Sequence, residues 1–250
     1  MERAEWLKRM RDMAEALYDR FAHYYWVNWG VDVDEMHRAY LRKFLGLVRQ
    51  PARSGLPGAI LSAACGAGRF DGLLVEAGYS VVGTDQSAGV LARAREHFPP
   101  EQFPQVRYEK IGLQEMDFRE EFDGAICMDA MEHICPEDWP VILRGFHAAL
   151  KPGAPLYLTA DMRDSAEIEA SYRRSLAMGL PVVYGEIADE VEAAYQQAVA
   201  GGEIVDQCVY HFCPSPEQIR AWLEQAGLGI VEAGADSEFQ HIIAMKPLKC

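Results

Sequence analysis

Basic residues are scarce in this chain. Lysine and arginine number 24 against 38 aspartates and glutamates, a formal net charge of −14. Neutralising nucleic-acid phosphates takes a basic surface, so the balance argues against a nucleic-acid partner, and the cations present are scattered. Long apolar runs are missing as well. No segment approaches the ~20 consecutive apolar residues of a membrane span. The opening stretch, MERAEWLKRMRDMAEALYDRF, is charged throughout and lacks the apolar centre of a secretory signal. A cytoplasmic protein without a membrane partner is the expectation. Paired cysteine spacing is also absent. Cys65, Cys127, Cys135, Cys208, Cys213 and Cys250 are expected as free thiols rather than a disulfide framework. In CVYHFC, strand alternation turns Cys208 away from His211 and Cys213, so the three do not converge and no metal is expected. Neither internal repeats nor low-complexity tracts occur.

What remains is ample for a buried core. The chain has 250 residues, half of them apolar and a quarter charged, which suits one large domain or a domain with an insertion. Ala14, Leu17, Phe21 and Tyr24 or Tyr25 recur at helical intervals, and an aromatic cluster, HYYWVNWG, closes this first helix at Gly30. A second helix is predicted over 34–48, followed by the connector QPARSGLPG.

The pattern then alternates between strand and helix. AILSAAC reads as a buried strand. Phe70, Leu73, Leu74 and Ala77 share one helix face that stops at Gly78. YSVVGTD, QVRYEKIG, FDGAICMD and APLYLTAD are further strands, with helices predicted over 87–98 and 140–150. This rhythm implies a mainly parallel sheet with crossovers on both faces. Residues 164–205 interrupt it with two predicted helices around GLPVVYGE, too long for a plain connection, and read as an insertion or lid. Ser215, Pro216 and Gln218 then open a capped helix. GIVEAGADSEFQHIIAMKP supplies two closely spaced strands, expected to be antiparallel.

The chemistry concentrates in LSAACGAGRFDGLLVEAGYSVVGTDQS. A strand that feeds a glycine turn and then a helix presents backbone N–H groups to a ligand that needs close approach, here at Gly66 and Gly68. Asp85, 19 residues beyond Gly66 at the end of the next strand, can accept two hydrogen bonds from ribose hydroxyls. A nucleoside-containing ligand follows. GAGRFDG has its third glycine one place late for the commonest dinucleotide fingerprint, a spacing that still occurs for phosphorylated nicotinamide cofactors. The chain has no Tyr-x-x-x-Lys or comparable hydride-transfer constellation.

With FDGAICMDAMEHI and LKPGAPLYLTAD following in order, residues 14–250 resemble the class I S-adenosylmethionine-dependent methyltransferases of the small-molecule type. The resemblance implies a Rossmann-like, doubly wound, seven-stranded sheet, mainly parallel with an antiparallel last strand. It implies an N-terminal helical cap (1–55) and a cofactor-binding domain (56–250) with a helical lid (164–205). It departs from the family pattern at Ser62-Ala63, where an acidic residue is usual, and at Gly112, where an aspartate would meet adenine. The implied cofactor is S-adenosyl-L-methionine. Tyr25 would hold its carboxylate, and Ala64, Cys65, Gly66 and Gly68 would wrap its methionine half. Asp85 and Gln86 would take the ribose and the adenine edge, Leu113 and Gln114 the adenine, and Met128 and Asp129 the ribose and methionine carbons. Arg69 is either a further contact or a solvated helix residue.

The implied reaction is methyl transfer to an O, N or S nucleophile of a small-molecule acceptor, by a monomer or homodimer. The alternative is a protein that binds the cofactor without transferring methyl, a cyclase-like enzyme or a regulator. In-line displacement from a sulfonium needs alignment and water exclusion first, and a base only where the nucleophile must lose a proton. Among seven histidines, His133 in DAMEHI ranks ahead of His211 as that base. Trp29, His37, Tyr184 and Tyr210 are the acceptor-binding candidates, with His37 facing either pocket or solvent.

Overall fold

The computed structural model describes residues 1–30, 32–49, 57–193 and 210–249. Two helices come first, α1 (Arg3–Tyr25) and α2 (Glu35–Leu47). The aromatic cluster after α1 continues as one π-helical stretch, Trp26–Gly30, and Asp34 caps α2 by accepting from the His37 backbone N–H. The alternating region follows as β1 (Ala59–Ala63), α3 (Asp71–Glu76), β2 (Ser80–Asp85), α4 (Ala88–His97), β3 (Val106–Lys110), β4 (Gly124–Cys127), α5 (Trp139–Ala149) and β5 (Pro155–Asp161). The insertion begins with α6 (Ser165–Ala177) and contains a short strand, β6 (Glu186–Ile187). β6 pairs antiparallel with β7 (His211–Phe212). α7 (Pro216–Gln225), with the expected Ser215–Gln218 capping box, leads to β8 (Gly229–Ala235) and β9 (Phe239–Met245).

The seven long strands form one sheet in the order β3-β2-β1-β4-β5-β9-β8. β1 to β5 are parallel, and β9 inserts antiparallel between β5 and β8. The expected Rossmann-like sheet is therefore present, and both terminal strands pair as the sequence predicts. Strand alternation divides the core. Leu61, Ala125, Leu156 and Ile242 face α5 and α7, whereas Ile60, Ile126, Tyr157 and Ile243 face Phe44 and Tyr40 of α2 and Leu74 of α3. Trp6 and Met10 of α1 join the first cluster, so both N-terminal helices bury side chains against the sheet domain.

Strand order reverses between β1 and β4. Loops leaving the carboxyl ends of two such strands diverge, and the crevice between them is where open α/β sheets bind ligands. α1 and the turn before α2 lie over that crevice, and the β6–β7 ribbon flanks it. The second helix predicted for the insertion starts before residue 193. Its remainder and Cys208 lie outside the described residues.

Candidate active site

The loop after β1 is built on left-handed backbone: Ala64, Gly66 and Gly68 have φ of 49°, 54° and 84°. Glycine reaches this region without the steric cost of a Cβ. Gly66 needs the space too, because a Cβ there would overlap the Tyr25 hydroxyl, and one at Gly68 would press on Tyr108 behind the loop. Tyr108 in turn donates to buried Asp71 Oδ2 at 2.9 Å. Burial pushes the Asp71 carboxyl up to about 6, against the hydrogen bonds from Ser62 and Tyr108. The loop is thus braced from behind, and Tyr25 covers its front.

Asp85 ends β2 beside this loop. Its Oδ2 accepts from the Gly66 N–H at 3.0 Å and its Oδ1 from the Ser87 N–H at 2.9 Å. Each carboxylate oxygen keeps a second acceptor site. Burial raises the Asp85 carboxyl to about 6, although the Ser87 and Gly66 N–H groups favour its charged form. The residues lining a narrow chamber of about 70 Å³ include Tyr18, Tyr25, Gly66, Asp85, Gln86 and Leu113, and also Ala64, Gln114, Asp129 and His133. Most of the expected cofactor residues are therefore gathered in one place. Cys65 and Met128 instead line an adjoining recess with Ala64. Gln114 also reaches Asp138 at 3.2 Å.

A larger cavity of about 430 Å³ adjoins this chamber. The two share Tyr18, Tyr25, Asp129 and His133 as a common wall. Asp129, at φ 49°, is held on all sides. Arg69 Nη1 reaches its Oδ2 at 2.9 Å, and His37 Nε2 and Thr159 Oγ1 donate to its Oδ1 at 2.9 and 3.1 Å. The second nitrogen of His37 bonds Asp34. Burial lowers the proton affinity of His37, but its bonds to Asp129 and Asp34 more than offset this, and its pKa is raised. His37 therefore faces the site and not solvent, as a cation that ties α2 to the end of β4.

The two candidate bases are built differently. His133 Nδ1 lies 3.1 Å from the Tyr210 carbonyl, which can only accept, so this nitrogen carries the proton. Nε2 then accepts from the Tyr18 hydroxyl at 2.9 Å. Burial, reinforced by His211, lowers the pKa of His133 to about 3. His211 lies edge-on to it, with ring centroids 4.9 Å apart. Its Nδ1 is 3.0 Å from Asp161 Oδ2, and the ring lines the large cavity. Burial works against the Asp161 charge, but hydrogen bonds from His211 and Arg163 hold its carboxyl below the usual range.

Among the acceptor candidates, His37 lines the cavity and two tyrosines do not. The Tyr210 hydroxyl donates to Glu186, so only its backbone carbonyl touches the site. Tyr184 is 53 % exposed and packs edge-on to Tyr172, away from the cavity wall. Both expectations rested on aromatic character alone, which does not fix the direction of a ring. The Trp29 side chain lies outside the described residues.

Several positions at or beside the candidate site escape sequence reasoning: Tyr18, Glu132, Asp161 and the pair Arg3–Glu186. Asp161 alone carried a signal, a carboxylate closing a strand at the ligand-binding edge. Arg3 Nη1 and Nη2 each lie 2.8 Å from an oxygen of buried Glu186, so the start of α1 is pinned to the ribbon that carries His211.

Residues 60–153 match the profile of the methyltransferase-domain family. Residues 60–153 thus carry a methyltransferase domain. The chain is 27 % identical over 173 residues to a ubiquinone biosynthesis O-methyltransferase of Nitrobacter winogradskyi, covering 69 % of this chain and 57 % of the relative. A ubiquinone biosynthesis O-methyltransferase of a Bradyrhizobium species is 35 % identical over 94 residues, 38 % of this chain and 36 % of its own. The methyltransferase thus spans little more than half the length of the first relative and about a third of the second. Among solved structures it resembles an S-adenosylmethionine-dependent methyltransferase from Methanosarcina mazei, with a TM-score of 0.62 and 18 % identity over 88 % of this chain and 100 % of the other. Magnesium protoporphyrin IX methyltransferase from Synechocystis, solved with S-adenosylhomocysteine, also gives 0.62, at 16 % identity over 94 % and 99 %. At these identities the likeness is one of fold. The Synechocystis enzyme is solved with S-adenosylmethionine or S-adenosylhomocysteine bound. The residues present here fit such a group: Gly66 lets Tyr25 close over the loop, and Asp85, which lines the chamber, keeps acceptor capacity. No helix among the described residues is long and apolar enough to cross a membrane.

Proposed function

We propose that this methyltransferase transfers the methyl group to a nucleophile of a small molecule held in the 430 Å³ cavity. The observation that carries the reading is the wall shared by the two chambers: Tyr18, Tyr25, Asp129 and His133 border both. A donor on one side and an acceptor on the other meet there, at the carboxyl end of β4. The cavity volume lies in the ordinary range for small-ligand sites. Bound S-adenosylmethionine supplies a methyl group on a positively charged sulfur, already activated for in-line displacement.

The chain's own residues position and exclude. Asp85 and Gln86 hold the nucleoside end, and the loop 64–68 and Tyr25 enclose the methionine half. Alignment of this kind is worth up to ~7–11 kcal/mol. His211 is the proposed base. Asp161 fixes the proton on its Nδ1, which leaves the Nε2 lone pair to take a proton from the acceptor. His133 has both nitrogens committed and serves as a positioning residue for Tyr18. The insertion is the proposed lid that excludes water during transfer.

Incubation with methyl-labelled S-adenosylmethionine and a small-molecule extract tests the reading. Label is expected in a low-molecular-mass product. A protein that binds the cofactor yet labels nothing would instead support binding without transfer.

A further inference from the structure

The large cavity continues into a second space of about 470 Å³, reached past Glu132, His211, Glu238 and Phe239, which line both. The charge on these walls is one-sided. The first cavity presents Asp34, Asp129, Glu132 and Glu238, and the second adds Asp161, Asp164 and Glu167. Against them stand Arg69, Arg163 and the cationic His37. All three are already committed: Arg69 to Asp129 at 2.9 Å, His37 between Asp34 and Asp129, and Arg163 to Asp161 at 3.0 Å and Glu167 at 3.6 Å.

Carboxyls remain over after this pairing. Glu238 stands exposed at the mouth. Glu132 lies at the junction of the two spaces, 4 % exposed; its Oε2 is enclosed with no hydrogen-bond partner among the described residues, and burial together with Asp129 pushes its carboxyl well above the usual range, so that it ionises only when a cation pairs it. A buried polar atom without a partner costs free energy unless a ligand satisfies it. The other lining residues Leu17, Tyr18, Phe21 and Phe239 are apolar or aromatic. The carboxyls are spread along the cavity, and among the described residues no three His, Cys, Asp or Glu side chains converge in a metal-binding group. That spread matches an extended organic cation better than a point charge.

We infer that the acceptor is an organic cation, an amine-bearing and partly aromatic small molecule whose ammonium group lies between Glu132 and Glu238. The inference rests on the reading of this cavity as the acceptor site. Glu238 meets the cation at the entrance, and the Glu132 carboxyl, ionised by the arriving charge, faces it within. The aromatic walls add ring contacts and cation–π attraction. An anionic acceptor would face carboxylates with no uncommitted cation among the described lining residues to receive it.

A matched pair of probes tests the charge: tyramine and 3-(4-hydroxyphenyl)propanoate, which share a phenol ring and differ in sign. Each is titrated calorimetrically into the protein saturated with S-adenosylhomocysteine. Tyramine is expected to bind at least ~10-fold tighter. Glu132→Gln and Glu238→Gln should each erode that preference by ~3-fold or more, and the exposed Glu238 variant does so without a risk to folding. Equal affinities, a preference for the propanoate, or no binding of either probe would overturn the inference. Saturation with S-adenosylhomocysteine is measured first. Its failure would tell against the methyltransferase reading itself, separately from the charge of the acceptor.

Discussion

His211 Nδ1 stands 3.0 Å from Asp161 Oδ2, and the His211 ring lines the larger cavity. The carboxylate fixes which nitrogen carries the proton, and thereby which lone pair faces an acceptor. Changing His211 to Ala should lower turnover ~10²–10⁴-fold with cofactor affinity intact. Asp161→Asn should lower turnover less, because the imidazole remains but loses its orientation. Steady-state kinetics at saturating cofactor decide this. Unchanged turnover in His211→Ala would leave alignment alone as the catalytic device.

His133 makes the opposite prediction. It is buried and neutral, its pKa lowered from 6.5 to about 3. A group whose folded pKa is depressed binds protons in the unfolded chain first. Its contribution is therefore present above pH 6.5 and lost as pH falls toward 3, at up to ~1.4 kcal/mol per pH unit. Replacing it by Gln removes this term, so the difference in stability between wild type and His133→Gln should shift in the variant's favour on acidification. Urea unfolding at pH 7 and pH 5 measures the shift. Asp71 and Asp85, whose raised carboxyls act in the opposite sense, are common to both proteins and cancel. Because His133 is not the proposed base, the variant should lose far less turnover than His211→Ala.

Arg3 connects the first turn of the chain to the catalytic ribbon. Arg3→Ala leaves Glu186 buried and dependent on the Tyr210 hydroxyl and the Val183 N–H. The expected loss is roughly 2–3 kcal/mol. That is below the ~3–5 kcal/mol of a fully buried pair, because the Arg3 side chain is 24 % exposed. Since His211 lies on the strand paired with β6, turnover should fall along with the denaturation midpoint. Loss of stability without loss of turnover would separate the ribbon from catalysis.

Much of this architecture is legible before any coordinates. Ile60 and Leu61 alternate across the sheet because a strand has period two, and Gly78 halts α3 in left-handed backbone at φ 89°. The glycine turn and Asp85 are legible for the same local reason: strand, turn and helix fix their relative positions within 30 residues. Contacts made over long sequence distances are not. Nothing in DAMEHI shows that Tyr18, 115 residues earlier, and the Tyr210 carbonyl, 77 residues later, occupy both His133 nitrogens. For the same reason the ranking of His133 above His211 could not anticipate Asp161. Tyr184 and Tyr210 sit beside the site in sequence order, but their rings follow local packing on Tyr172 and Glu186.

The central claim is that the chamber between Gly66, Tyr25 and Asp85 holds S-adenosylmethionine. Calorimetric titration of S-adenosylhomocysteine into wild type and Asp85→Ala, across pH 5 to 8, tests it most directly. Two ribose hydroxyls lose a charged acceptor in the variant, so affinity should fall by ~2–4 kcal/mol at pH 8. The wild-type carboxyl, raised to about 6, must be ionised to accept both hydroxyls. Wild-type affinity should therefore weaken as pH drops below 6, and that dependence should disappear in Asp85→Ala. Equal affinity of the two proteins at pH 8 would contradict the account.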